Sequence, residues 1–396
     1  MLGRYHPIFI LFLRVAGAGS SLLIVVLLNK NYGDNSSSFF FTQSLCVLSS
    51  FFSVFGLNGY SMQRAVKVKK NEKTYLVVAS VETLARTLLF VIPILIIASI
   101  FFELDVNYFL VPLILGYSIS SNVYNYLLGK HKQIFSIFWF VLFPNLLLLT
   151  LTILSFDIVL ISIIYSVYYI FCFFIMFSNV PGNISIRFLK KIKLRVSFYN
   201  YKQRVDFFIQ EILGQVFTSV SIVIAGIVLV SGELNNFILY NKVFSVCALI
   251  IGSINISIAP QVAKVFIERN SSKGNGLINK YGSMSSTLVF ITLFIGGVII
   301  SNWRELLPGL EVDSIFMTFS IAYLIVAFCS CSHYVLNILG MQKKVRKISI
   351  VSALFGMTFM FLLGNLFGVA GVVVGLSLAL VLQAMLCRIN LLVDKG

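Results

Sequence analysis

An all-α membrane protein with about twelve transmembrane helices is what the sequence predicts, and three observations carry that prediction. Of the 396 residues, 59% are hydrophobic and 11% charged, against about 25% charged in an ordinary soluble domain. Too little polar side chain remains to cover a surface in water. The apolar residues also fall in runs of roughly 20, the length that crosses a ~30 Å hydrocarbon core as a helix. The ~10-residue alternating segments of a transmembrane β-barrel do not occur. Finally, lysines and arginines gather in alternate connections, as they do on the cytoplasmic side of membrane proteins.

In chain order the runs lie at 8–29, 38–59, 75–100, 109–128, 134–154 and 158–178. After the hydrophilic stretch 179–204 they resume at 205–230, 236–260, 282–301, 314–338, 349–366 and 370–390. The first is expected to be a retained helix. It is too long for a signal h-region, Arg14 interrupts it, and no A-x-A site follows. With the N-terminus inside, the inner connections collect Arg4, Arg64, Lys67, Lys69, Lys70, Lys73, Lys130, Lys132 and the bases from Arg187 to Arg204. The second half adds Lys264, Arg269, Lys273, Lys280, Lys343, Lys344, Arg346, Lys347, Arg388 and Lys395. The outer side keeps only Lys30 and Arg304, among acids such as Glu103, Asp105, Asp157, Glu233 and Asp313. A wrong count would scramble this sorting from the error onward, and it stays clean, so both termini are expected in the cytoplasm. The net charge of +16 then calls for no nucleic acid. It is the positive-inside bias, with membrane lipids, and anionic headgroups above all, as its partners.

Two echoes suggest an internal repeat. "YLLGKHK" (126–132) and "NILGMQK" (337–343) each close the fourth run of their half, while "YGDNSSSFFFTQSL" (32–45) and "SGELNNFILYNKVF" (231–244) each join the first run to the second. One glycine–lysine at a helix end is ordinary C-cap chemistry; two echoes in order favour duplication. Six runs per half is an even number, so both halves share one orientation. They are expected as two six-helix lobes related by a pseudo-two-fold axis along the membrane normal, a plan of secondary transporters with the substrate near the midplane. The expected domains are an N-terminal lobe (1–178), a basic cytoplasmic linker (179–204) and a C-terminal lobe (205–396).

Six charges remain inside the runs: Arg14, Arg86, Lys242, Glu82, Asp206 and Glu211. A charge near the bilayer centre costs at least ~2.5–3.5 kcal/mol and so faces a partner or a wet cavity. No acid stands three or four positions from Arg14 or Lys242 in the sequence, and both are expected to line such a cavity. Glu82 and Arg86 are four apart, an intrahelical ion pair or, for Glu82, an ion-coupling or gating acid and, for Arg86, a third basic contact for an anionic substrate. Asp206 sits beside Arg204 at the inner end of the seventh run, in the headgroup region or at an ion site. Glu211, with Gln215 and Thr218 on one face, suits a proton or cation site, or a polar contact between helices. His333 could titrate as a switch or pack between helices. Polar stripes on the first, seventh and tenth runs agree on which helices line a wet interior. The six cysteines all lie in apolar runs without C-x-x-C spacing, and are expected as buried thiols with no metal site. No nucleotide-binding glycine loop occurs and no acid pair lies in a large external loop, so neither an enzyme nor a cofactor is expected.

Several segments resemble a known family. "LLNKNYGDNSSSFFFTQSL" looks like its turn after the first span, "GLNGYSMQRAV" its closure of the second, and "SIAPQVAKVFIERN" its proline-marked exit from the eighth. "NILGMQKKVRK" followed by "NLFGVAGVVVGLSLAL" is similar to its C-terminal end. The family is that of the Wzx-like polysaccharide flippases of the multidrug/oligosaccharidyl-lipid/polysaccharide (MOP) exporter superfamily. The turn after the first span lacks the commoner Gly-Pro, and Met341-Gln342 stands where a lysine is more usual. The resemblance implies a transporter of the bacterial inner membrane that moves an undecaprenyl-pyrophosphate-linked oligosaccharide to the periplasmic leaflet by ion-coupled alternating access. It also implies Arg14 and Lys242 as basic contacts for the pyrophosphate, and a polysaccharide polymerase and chain-length regulator as partners. A multidrug cation antiporter of the same superfamily, or a membrane polysaccharide polymerase, are the alternatives.

Overall fold

The computed structural model describes residues 6–33, 35–67, 72–101, 110–130, 132–184, 201–268, 271–302 and 311–395. Among them every regular element is helical. Hydrocarbon offers no water to a backbone N–H or C=O, so each apolar run closes its own hydrogen bonds. The first half holds α1 (His6–Tyr32), α2 (Asn35–Val54), α3 (Leu57–Lys67), α4 (Glu72–Arg86), α5 (Ile92–Phe101), α6 (Leu110–Gly129), α7 (Gln133–Ile137), α8 (Phe143–Ile153) and α9 (Ile158–Ser178). The second begins with α10 (Tyr201–Gln215) and α11 (Ser221–Val228), then α12 (Ser231–Ile267), α13 (Ser271–Asn302), α14 (Ser314–Cys329), α15 (Cys331–Ile338) and α16 (Gln342–Lys395).

Nine helical stretches among the described residues are long and apolar enough to cross a membrane. Helix α6 is not one of them, because Ser118, Ser120, Ser121 and Asn122 lower its hydropathy; all four are buried, so its polar face meets other helices. The expected eleventh and twelfth runs are joined in α16, whose arms meet at Gly368 (φ 57°, ψ −138°). A Cβ on Gly371 would lie 1.9 Å from the Leu363 carbonyl oxygen, so the arms touch backbone to backbone there. Exposed apolar stripes mark the outside: Met284, Leu288, Ile291, Ile295 and Val298 along α13, and Val159, Ile163, Val167, Phe171 and Phe174 along α9. Soluble monomers rarely carry such surfaces. On helices of this length they face lipid, and the protein is a multi-pass membrane protein.

Two compact units make up the chain, Met1–Gln215 and Val216–Gly396, and the division falls inside the seventh apolar run. In the first unit α6 is central, packed on α2, α3, α4 and α9. In the second, α16 packs on α11, α14 and α15, and α13 on α12 and α14. Single π turns interrupt three runs, at Thr87–Val91, Phe138–Leu142 and Val216–Val220. Two of them lie just before a proline, Pro93 and Pro144. Proline has no N–H and collides with the carbonyl four residues back, and one wide turn moves that carbonyl aside.

The echoed glycines have different backbone roles. Gly340 (φ 81°) ends α15 in a Schellman closure, with Met341 N–H donating to the Leu336 carbonyl (3.0 Å) and Gly340 N–H to that of Asn337 (3.2 Å). The matching bond after α6 runs from Lys132 N–H to Leu127 (3.0 Å), which leaves Gly129 inside the helix. Gly129 is needed for another reason: a Cβ there would sit 2.4 Å from the Met62 carbonyl oxygen of α3. Likewise Gly33 (φ 53°) stops α1 through a bond to Asn29 (3.0 Å), whereas Gly232 lies in the first turn of α12.

Candidate functional site

The second apolar run, expected as one helix over 38–59, is broken. After α2 ends, Phe55 (φ 46°) and Gly56 (φ 71°) both take left-handed backbone before α3 begins. Such a break frees carbonyls at the end of one helix and N–H groups at the start of the next, a partial negative end beside a partial positive one. Side chains of matching charge meet both. Arg86, in the last turn of α4, donates through Nη1 to the carbonyls of Val54 (3.2 Å) and Ser53 (3.5 Å). Its guanidinium lies 5.5 Å from the Phe55 ring centroid. Arg204, in the first turn of α10, donates through Nε to the Phe55 carbonyl (3.4 Å). On the other side Glu211 Oε1 accepts the Gly59 N–H from the first turn of α3 (3.0 Å). Two helical turns separate Arg204 from Glu211, so α10 presents a base to the carbonyl end and an acid to the N–H end of one break.

Glu82 ties the two arginines together. It pairs with Arg86 one turn along α4 and with Arg204 Nη1 at 2.9 Å. Arg204 is only 1% exposed, and an isolated charge so placed would cost several kcal/mol. Here one carboxylate serves two guanidiniums, and main-chain carbonyls accept from Arg204 Nε and Arg86 Nη1. Packing keeps the backbones close: a Cβ on Gly56 would fall 2.0 Å from the Arg204 carbonyl oxygen, and one on Gly59 2.4 Å from the Phe207 ring. Phe208 packs on Phe55 and Phe52, with centroids 4.6 and 5.5 Å away.

Of the residues expected to carry function, Glu82, Arg86 and Glu211 therefore gather around this break, all in the first unit. Asp206 is exposed on α10. Arg14 falls within α1, but its side chain lies outside the described residues. Lys242 is half-buried in α12 of the second unit, where Ser245 Oγ donates to its carbonyl (2.6 Å). His333, half-buried on α15, has Nδ1 3.8 Å from Cys387 Sγ and its ring against Tyr334.

Arg204, grouped with the bases of the cytoplasmic linker, is a buried helical residue bonded across the first unit. Its signal in the sequence was the two-turn register with Glu211. The break itself was marked only by Gly56 and Gly59 within an otherwise apolar run. A related arrangement occurs in the second unit, where α14 gives way to α15 at Ser330. There Arg388 Nη1 donates to the Phe328 carbonyl (2.9 Å), with its guanidinium 4.3 Å from the Phe328 ring centroid. All six cysteines are free and buried. Among the described residues no group of three or more His, Cys, Asp or Glu side chains could hold a metal ion.

In fold the chain is similar to solved transporters. It aligns with the lipid II flippase MurJ, in an inward closed conformation, over 97% of this chain and 86% of that one, with a TM-score of 0.65 at 14% identity. An inward-facing multidrug resistance MATE family transporter of the MOP superfamily aligns over 95% of both chains, with a TM-score of 0.60 at 14% identity. A MATE transporter from Vibrio cholerae aligns over 98% of this chain and 95% of that one, with a TM-score of 0.54 at 14% identity. No family model and no curated protein sequence matches the chain. At such identity the likeness establishes the fold alone, one this chain shares with these transporters over nearly its whole length.

Proposed function

We propose that the protein is a flippase of the bacterial inner membrane. It would move an undecaprenyl-pyrophosphate-linked oligosaccharide, an O-antigen or capsule repeat unit, from the cytoplasmic to the periplasmic leaflet. The observation that carries this reading is the likeness in fold, over nearly the whole chain, to a lipid II flippase. A pyrophosphate needs basic contacts within the membrane, and Arg14 and Lys242 are the residues assigned to it. Arg86, the third base expected there, directs its donors to Glu82 and to the Ser53 and Val54 carbonyls, so its role is to hold the helix break. Ion coupling is assigned to Glu211, one oxygen of which accepts the Gly59 N–H while the other is buried without a hydrogen-bond partner among the described residues. The exposed Asp206 and the half-buried His333 take secondary places in that assignment.

The test is functional replacement. In a strain lacking its own flippase, the wild-type gene should restore surface polysaccharide. Arg14→Ala and Lys242→Ala should each restore less than a tenth as much at equal membrane abundance. Full restoration by both variants would remove the cationic contacts. The second reading, a multidrug cation antiporter, draws on the likeness to MATE transporters. It requires instead that expression raise resistance to cationic drugs and that Glu211→Gln abolish the effect.

A further inference from the structure

A broken transmembrane helix attracts cations to the end where carbonyls are freed and anions to the end where N–H groups are freed. The break between α2 and α3 presents both ends, and the carbonyl end is taken. Arg86 Nη1 donates to the Ser53 and Val54 carbonyls, and Arg204 Nε to that of Phe55. Two guanidiniums therefore stand where a sodium ion would find its oxygens. Glu211 is at the other end, its Oε1 accepting the Gly59 N–H (3.0 Å). A metal ion on this carboxylate would face a backbone donor and the partial positive charge at the start of α3. A proton avoids both conflicts. It is held covalently by one oxygen and leaves the other to accept from Gly59.

The titratable groups on the helices around α10 are engaged elsewhere or set apart. On α4, Glu82 pairs with Arg86 and with Arg204. On α3, Arg64 lies over the Tyr75 ring (4.4 Å) and the Tyr60 ring centroid is 6.4 Å from the same ring. Lys67 closes α3 more than two turns beyond Gly59. On α2 the titratable side chain is Cys46, which is buried. We propose that Glu211 takes up a proton and not a sodium ion: a hydronium ion gives its proton to the carboxylate, which becomes a neutral acid, and leaves as water. On the reading above, with Glu211 as the coupling acid, H+ is then the ion that drives transport.

Infrared difference spectra of the intact protein test it. Acidifying the wild type in choline chloride should raise the carbonyl band of a protonated carboxyl that is missing from Glu211→Gln. Replacing choline by sodium should leave that band unchanged. The melting temperature should also be equal in the two salts, because an ion that binds the folded protein raises it. Identical spectra for the wild type and Glu211→Gln would overturn the proposal. So would a band that sodium suppresses, or a melting temperature that sodium raises in the wild type and not in Glu211→Gln. If Glu211→Gln does not fold, Glu211→Asp gives the same decision by shifting the band instead of removing it. Full restoration of surface polysaccharide by Glu211→Gln is a separate result. It would remove Glu211 as the coupling acid, and the spectra would still decide which ion the residue binds.

Discussion

At the scale of single residues, Glu82 is the carboxylate on which the two arginines at the helix break depend. Neutralising it leaves two guanidiniums facing each other, the situation in which a buried pair loses about 3–5 kcal/mol. Glu82→Gln should therefore lower the melting temperature in detergent far more than Glu268→Gln. The latter breaks an exposed pair with Lys264 at 4.0 Å of a kind that contributes at most about 1 kcal/mol. Comparable shifts for the two variants would contradict the triad. Arg204→Lys should behave like a loss and not like a conservative change. An ammonium is a point charge and cannot reach both the Glu82 carboxylate and the Phe55 carbonyl, as the planar fork does. Glu211 separates structure from function in a similar way. Gln keeps an acceptor for the Gly59 N–H, so Glu211→Gln should melt near the wild type while losing transport. Glu211→Leu removes the acceptor and should be the less stable of the two.

Among the helices, one type of glycine substitution should have two outcomes. Gly340 has a positive φ and open space around it. Alanine there costs the ~1–2 kcal/mol of left-handed backbone, and asparagine, which tolerates that conformation, less. Gly129 is helical but lies against the α3 backbone, so alanine must push two helices apart. Melting temperatures should fall in the order wild type, Gly340→Asn, Gly340→Ala, Gly129→Ala. If Gly129→Ala proved the milder change, the close approach of α6 and α3 would be wrong. Two stretches that read alike as letters thus differ in what they need from glycine, one conformation and the other space. The position of the closing hydrogen bond and the space beside each glycine distinguish them.

For the whole molecule, the seventh run belongs to both units. Its first half, α10, is held in the first unit by Arg204, Glu211 and Phe208. Its second half, α11, packs on α16 in the second. The expected orientation is checked by labelling: single cysteines at Lys69 and Lys191 should react with an impermeant thiol reagent only from the cytoplasmic side. Reaction from outside at these positions would reverse the topology.

Much of the fold was legible in the amino-acid order because the requirement to cross lipid acts locally. A run of some 20 apolar residues must be helical whatever surrounds it. Thus α9 coincides with the run at 158–178, and α14 with α15 covers the run at 314–338. Less of the candidate site was legible. Glu82 with Arg86 and the placement of Glu211 within a run could be read from spacing. For Arg204 the register with Glu211 was there to read but its partner was not, since the Phe55 carbonyl lies 149 residues away in the chain. The break at Phe55–Gly56 was hidden for the same reason, since the contacts that hold it come from Arg86, Arg204 and Glu211 on other helices. By itself, then, the sequence determined which segments enter the membrane. The tertiary structure alone decided where a helix can afford to stop within one, because freed carbonyls and N–H groups are tolerated in lipid only where distant side chains arrive to satisfy them.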